Sequence, residues 1–470
     1  MSSLVNWGNS NREIFITDEG EILTYGRIYD DVIALATLLP KRQLIFFMGR
    51  NDVTTLTAYL ACFEAGAVPL LLDPNLSTSH LLALLKVYEP KYIFSPKAYI
   101  GIPKIFEIKK IFGDYSLSCN PNEEGPKLNS DLALLLTTSG STGSPKLVRL
   151  SNNNLYSNAQ SIVNYLGIDQ NERAITSLPF HYSYGMSLIN SHLLAGASIV
   201  LSNRSFIDPV FWQQMNLHAV TNLSGVPYSY EMLLKFKFQR MSLPSLRTMT
   251  QAGGKLSVSS IRCISNVCKL KNMRFFTMYG QTEASPRISY LEPEYLDEKA
   301  GSIGKAVPGG KLWIEDERGE IIVSSNQVGE LIYSGPNVAL GYAQCKQDLN
   351  LGDEWNGLLR TGDLASMDKD GFFFIEGRKS RFLKLNGVRV SLDMLEVWFY
   401  EKGIIVAAQG CDDHLYLTIE STDPEYINLE IKTFASEMGI HRSTLQFSVV
   451  TTLPRLSSGK IDYSVLYQKN

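Results

Sequence analysis

Two short, continuous apolar runs, QLIFFM at 43–48 and PLLLD at 69–73, are separated by the segment TTLTAYLACFEAGA. Neither run alternates polar with apolar residues, so both read as strands covered on both faces. The segment between them has helical spacing, with Leu56, Leu60 and Phe63 on one side. Strand, helix, strand in that order is a βαβ unit with parallel strands. HLLALLKVYEPKYIFS repeats helix then strand, and ASIVLS and MRFFTMYG supply later strand candidates. The chain up to Gly301 therefore predicts a doubly wound α/β region.

From Gly301 the texture changes to short strands and glycine-rich turns, as in KLWIEDERGEIIV, GELIYSGP and DGFFFIEGR, which predicts a β-rich subdomain over about 301–379. Beyond Arg378 a tail of roughly 90 residues mixes helix and strand patterns and can fold as a separate lobe. The expected fold class is thus α/β: a large N-terminal region, 1–379, with its β-rich subdomain, plus a small α+β C-terminal lobe, 381–470. At 470 residues the chain is too long for a single core.

A net charge of −3 gives no reason to expect a nucleic-acid or membrane-surface partner. No apolar run reaches the ~18–20 residues that span a bilayer. The start, MSSLVNWGNSNREIF, lacks the basic and apolar regions of a signal peptide. Six scattered cysteines with no Cys-x-x-Cys pair read as free thiols, and the expected compartment is the cytoplasm. The six histidines are equally dispersed, so a structural zinc site is not expected.

The densest cluster of small and hydroxyl residues lies in LLLTTSGSTGSPKLVRLS, 134–151. Apolar residues on either side predict strands at 131–136 and 147–150, with Ser151 as N-cap of the following helix. A Walker loop would need glycine before its lysine and would open directly into a helix; here position 145 is proline and Lys146 enters an extended segment. Anion binding survives without the helix. Gly140 and Gly143 permit positive φ, so successive N–H groups can converge on an oxygen cluster. Thr138, Ser139, Ser141 and Thr142 bring hydroxyls, and Lys146 brings a full positive charge.

TSGSTGSPK resembles the phosphate-loop signature of the adenylate-forming superfamily, which includes acyl-CoA synthetases, peptide-synthetase adenylation domains and luciferases. LTYGRI (23–28), YGQTEAS (279–285), GELIYSGPNVALGY (329–342), LRTGDLA (359–365), GRKSRFLKLNGVRVSLDMLE (377–396) and LPRLSSGKIDYSVL (453–466) resemble further motifs of that family, in its order and over nearly the whole chain. The resemblance implies attack of a carboxylate on the α-phosphate of ATP with release of pyrophosphate, then transfer of the acyl group to a thiol.

Two anions must meet in the first step, so positive charge has to stand where charge develops. By resemblance, Lys460 bridges the carboxylate and the α-phosphate, and Glu283 ligates Mg²⁺, a hard ion suited to carboxylate, phosphate and water oxygens. Thr282 donates to the α-phosphate, Asp363 accepts the ribose hydroxyls, Arg378 lies near ribose and phosphate, and Tyr279 lies against adenine. Gly253 and Gly280 complete the nucleotide-binding set. In the second step the family's lobe swings, withdrawing Lys460. Lys384 then serves the new conformation, and Gly387 lets a pantetheine arm pass the backbone. Two positions depart from the pattern: Ser380 replaces the usual Asp or Lys pivot, and Leu147 replaces the glycine after SPK.

Amino-acid-activating relatives carry an aspartate for the substrate ammonium where this chain has His181, in PFHYSYG. An ammonium buried there would lack its counter-ion, so the pattern resembles acyl- and aryl-acid ligases, with His181 bordering the carboxylate. NLSGVPYSYEMLL and QAGGKL resemble the floor of the acyl pocket, where Gly225, Gly253 and Gly254 make room. The acceptor is CoA, which RKSRFLK could meet, or the phosphopantetheine of a separate carrier protein. A catalytically inactive nucleotide-binding relative is argued against by the joint presence of Lys460, Glu283 and Asp363, and oxidase activity leaves no readable motif.

Overall fold

The computed structural model describes residues 4–137, 146–385, 388–421, 423–437 and 444–466. An eight-stranded sheet holds the βαβ unit read from the sequence: Leu44–Met48 pairs in parallel with Val68–Leu72 on one side and Tyr92–Pro96 on the other. Every residue of the first two strands is buried, as unbroken apolar runs require. The connecting helix, Val53–Ala65, is capped by Asp52 and stopped by Gly66 in the left-handed region. It is buried on more than the one side expected. Thr55 to Cys62 are all covered, because the helix lies in a core that joins Ile45, Phe47 and Leu71 of this sheet to Ile14, Phe15 and Ile199 of a second.

That second sheet has nine strands. Asn222–Gly225, Thr248–Gln251 and Arg274–Gly280 run parallel and adjacent, so their C-terminal ends share one edge. Ligands of open α/β sheets bind beyond the carboxyl ends of strands, and the segments leaving this edge are those with Gly253 and with Thr282 and Glu283. A four-stranded antiparallel sheet follows, Lys311–Glu315, Gly329–Ser334, Leu358–Met367 and Phe373–Arg378. Its register sets Asp363 directly opposite Arg378.

After Arg378 the chain forms a hairpin, Phe382–Leu385 with Val388–Ser391, and a three-stranded sheet, Ile405–Cys411, His414–Glu420 and Leu445–Val450. With helices Leu392–Glu401 and Pro424–Glu437 these bury a cluster that includes Leu383, Leu395, Phe399, Ile427 and Phe434 and takes no residue before Leu383. The fold is mixed α/β with a large N-terminal part and a smaller α+β C-terminal part, as expected. Among the described residues, no helix is long and apolar enough to cross a membrane.

Candidate active site

The phosphate-loop segment sits between strands Leu132–Thr137 and Leu147–Ser151, which pair antiparallel with Thr137 opposite Leu147. Strand leads to strand, as read. Ser151 caps the next helix reciprocally with Asn154. Thr138, Ser139, Gly140, Ser141, Thr142 and Gly143 lie outside the described residues, as does Gly387. Lys146 is described: its ammonium stands 3.4 Å from the centre of the Tyr342 ring. The Tyr342 hydroxyl donates to Oε1 of Glu283 at 2.8 Å. Loop lysine, tyrosine and the expected metal ligand thus form one contiguous unit.

Glu283 stands in a single turn of 3-10 helix, Thr282–Ala284, just past the strand Arg274–Gly280. Gly280 is required at the strand end, because a Cβ there would lie 1.7 Å from the carbonyl oxygen of Pro286. The Oε2 of Glu283 has no hydrogen-bond partner among the described residues. One carboxylate with a free oxygen fits Mg²⁺, which takes one or two carboxylates and fills its octahedron with phosphate and water oxygens. No cluster of three or more His, Cys, Asp or Glu competes for a metal among the described residues. Thr282 Oγ1 lies 3.3 Å from Ser183 Oγ at the start of the helix Ser183–Leu194.

Asp363 is 3% exposed. Its Oδ2 accepts from the Tyr279 hydroxyl and from Nε2 of Gln281, the latter at 2.9 Å, and its Oδ1 lies 3.3 Å from Nε of Arg378. Burial raises its pKa, while Arg378, Tyr279 and Gln281 pull it back. Among the described residues, Arg378 is the one partner of Oδ1. Gln281, inside a motif already singled out, is a positioning group that sequence reading passed over: it also donates to Thr361 O and so ties the two sheets together at Asp363.

Lys460 reaches this cluster from the C-terminal part. Burial and the charge of Arg378 push its pKa down to about 8, opposed by Glu283 and Asp363. Its ammonium lies 5.4 Å from the Tyr182 ring. The loop that carries it is pinned to the N-terminal part: Ser457 donates to Oδ2 of Asp73 at 2.8 Å and stands 3.3 Å from Nε2 of His181. With the serine proton committed to Asp73, Nε2 must carry the ring proton and donate. Burial lowers the pKa of His181, so the ring is neutral near pH 7, although Asp73 at 3.4 Å opposes the shift. His181 thus meets the lysine loop. Gly253, at φ +85°, lets Tyr182 pack where a Cβ would come within 2.5 Å of the phenol oxygen.

Lys384 is not brought into this cluster. It is exposed on the hairpin strand, its backbone held by Asp412 and Asp413. Lys460, Glu283, Asp363, Arg378, Tyr279, Thr282 and Lys146 do converge. Asp73, Ser457 and Tyr342 join them without having been singled out; the only sequence signals were the polar end of PLLLD and membership of two quoted motifs.

This arrangement presents cations and hydroxyls around a space bounded by one metal-competent carboxylate and one sugar-competent carboxylate. A family model described as AMP-binding enzyme matches residues 6–343. The chain belongs to the AMP-binding enzyme family. Among curated relatives of this family member, the 2-succinylbenzoate–CoA ligase of Bacillus subtilis (strain 168) is 28% identical over 429 residues, 88% of this chain and 85% of that protein. The 2-succinylbenzoate–CoA ligase of Listeria monocytogenes serotype 4b is 25% identical over 485 residues, 98% of this chain and 97% of that protein. Solved structures that share the fold include two bound to ATP. One is o-succinylbenzoate coenzyme A synthetase (MenE) from Bacillus subtilis in complex with ATP and magnesium ion, with a TM-score of 0.78, 24% identity and coverage of 96% and 95%. The other is ATP-bound MatB from Rhodopseudomonas palustris, with a TM-score of 0.75, 20% identity and coverage of 98% and 96%.

Proposed function

We propose that this AMP-binding enzyme is an AMP-forming acid–CoA ligase. A carboxylate oxygen attacks the α-phosphorus of ATP, the bond to the bridging oxygen breaks, and pyrophosphate leaves. The thiol sulfur then attacks the acyl carbonyl, AMP leaves with the electron pair of the anhydride bond, and the thiol proton passes to water. The observation that carries the reading is Lys460, half-buried among Arg378, Glu283 and Asp363. A cation held there, away from bulk water, neutralises the two anions as they approach. Asp363 and Arg378 hold the sugar end, Lys146 the polyphosphate end, and Glu283 would hold Mg²⁺, which supplies charge neutralisation on phosphate oxygens.

The names of the curated relatives support CoA as acceptor. For the second step we propose that residues 381–470 rotate about Ser380, which is exposed between Arg378 and the hairpin, and bring Lys384 and Gly387 to the thiol. Six free cysteines support a reducing, cytoplasmic setting. The test is acid-dependent exchange of labelled pyrophosphate into ATP across a panel that includes 2-succinylbenzoate, followed by capture with CoA or a phosphopantetheinyl carrier protein. Exchange with thioester formed on CoA supports the reading. Capture by the carrier protein alone replaces CoA as the acceptor, and absence of exchange with every acid overturns the ligase reading.

A further inference from the structure

The helix Pro227–Lys235 shows two faces to two parts of the chain. Tyr230 and Leu233, three residues apart, are buried in one cluster with Met249 and Phe275 of the second sheet. The Tyr230 hydroxyl donates to Thr250 O at 2.8 Å, which fixes the helix on that side. Tyr228 and Glu231 repeat the spacing two positions earlier, about 200° round the helix. Both meet the C-terminal part. The Tyr400 hydroxyl, near the end of the helix Leu392–Glu401, donates to Oε1 of Glu231. The guanidinium of Arg455 lies over the Tyr228 ring, 4.7 Å from its centre. A helix anchored by its inner face thus gives two separate elements of the C-terminal part a fixed seat.

Arg455 ties that seat to the lysine turn. Its Nη1 donates to Gly459 O at 3.1 Å, on the residue just before Lys460. Leu456 closes the same turn: its N–H donates to Lys460 O, and its carbonyl accepts from the Gly459 N–H, both at 2.8 Å. The turn also runs close to the start of the helix. A Cβ on Gly459, at φ +81°, would crowd Cγ2 of Val226 at 3.0 Å. One side chain, Arg455, therefore touches both the body of the molecule and the backbone that carries the Lys460 ammonium.

We infer that Arg455 is a positioning residue for adenylation: docked on Tyr228, it holds the turn so that the Lys460 ammonium stands over the Tyr182 ring. This rests on the ligase reading and on the rotation about Ser380 proposed with it. A planar guanidinium suits the task, because its face stacks on the ring while its edge donates to the carbonyl. Rotation would break the contact with Tyr228 and the bond from Tyr400 to Glu231, yet carry the Arg455–Gly459 bond along with the turn. The seat therefore serves the first step alone.

The test follows the two half-reactions of the full chain in single turnovers. One is adenylate formation from ATP, Mg²⁺ and a saturating concentration of the acid that gives the fastest pyrophosphate exchange; the other is thioester formation from supplied acyl-adenylate and CoA. Arg455→Ala and Tyr228→Leu are each expected to slow adenylate formation by about 10-fold, through displacement of a reacting group, and to leave thioester formation within about twofold. Arg455→Lys keeps a cation for the ring but loses the fork, and is expected to recover part of the rate. The double variant is expected to lose no more than Arg455→Ala alone, since both changes remove one contact. Thermal melting identifies a folding defect, and Tyr228, 37% exposed, keeps the contact testable if Arg455→Ala does not fold. Equal slowing of both half-reactions, losses that multiply in the double variant, or rates unmoved by either substitution overturn the inference and leave the ligase reading standing. Absence of adenylate from every acid in the wild-type enzyme overturns both.

Discussion

Ser457 donates a 2.8 Å hydrogen bond to Asp73, joining two residues 384 positions apart. Asp73 ends the parallel-strand core of the first sheet, and Ser457 stands three residues before Lys460, so this bond fixes the lysine loop against the rigid part of the molecule. Asp73→Ala leaves Ser457 without its acceptor and removes the carboxylate 3.4 Å from His181. The expected outcome is a loss of roughly tenfold in adenylation kcat, the worth of one hydrogen bond to a charged group. Thioester formation from supplied acyl-adenylate is expected to hold, since the proposed rotation about Ser380 takes the loop elsewhere for that step. Single-turnover assays of the two half-reactions check this; equal losses in both argue against a loop-positioning role.

Lys460→Ala removes the cation itself rather than its tether. Adenylation is expected to fall by about 10²–10³-fold or more, as when a preorganised charge-stabilising donor is deleted. Capture of CoA by supplied acyl-adenylate is expected to survive. Pyrophosphate exchange reports the first quantity and thioester release the second. Parallel loss would mean that Lys460 serves both steps and that no rotation about Ser380 withdraws it.

Much of this site was readable because its parts are local. Leu44–Met48 and Val68–Leu72 are unbroken apolar runs, and such runs have few other homes than a parallel sheet. Glu283, Asp363 and Lys460 each stand inside a short string whose spacing is itself informative. What stayed hidden is what only the fold brings together. Asp73 looks like any residue ending a strand, and nothing in its neighbourhood announces Ser457. Tyr342 closes a motif as an aromatic that could equally be core, and its hydroxyl on Glu283 depends on antiparallel pairing of Gly341–Ala343 with Leu147–Ser151. Even the helix Val53–Ala65 misled in degree, since covering by a second sheet cannot be seen in its own periodicity.

Tyr342 bridges Lys146 and Glu283, so on the proposed role of Glu283 as Mg²⁺ ligand it orients that ligand. Tyr342→Phe keeps the ring under Lys146 and removes only the donor to Glu283. Partners that orient a metal ligand carry about 10–100-fold in affinity, and the lower end is expected here because the ligand is half-exposed and phosphate oxygens share the ion. Titrating Mg²⁺ at fixed ATP, read as nucleotide binding by calorimetry, checks the shift. An unchanged Mg²⁺ dependence would reduce Tyr342 to packing.

Arg149 shows how firmly the strand behind the phosphate loop is anchored. Replacing it by leucine orphans four carbonyls and leaves Glu354 unpaired. Breaking a buried pair from one side costs on the order of 3–5 kcal/mol, and half-exposed Glu354 can rehydrate, which favours the lower figure. Arg149→Leu is therefore expected to lower Tm by several degrees and to weaken ATP binding along with it, since residues 340–354 include Tyr342. Calorimetric melting with and without ATP tests both at once. A stable variant with normal nucleotide affinity would show that the loop holds itself.

The depressed pKa of Lys460 has a consequence for pH. Burial and Arg378 bring it to about 8, so the ammonium is largely charged at pH 7 and neutral above pH 9. Phosphate oxygens bind the charged form, and ATP in turn favours protonation. ATP affinity is thus expected to be flat below the folded pKa and to fall as pH rises through it, approaching tenfold per pH unit if the neutral amine contributes nothing. Lys460→Arg keeps its charge beyond pH 12 and is expected to flatten that limb, whatever it does to turnover. Binding titrations between pH 7.5 and 9.5 on the two proteins decide the matter. The same slope in the arginine variant would assign the titration to another group.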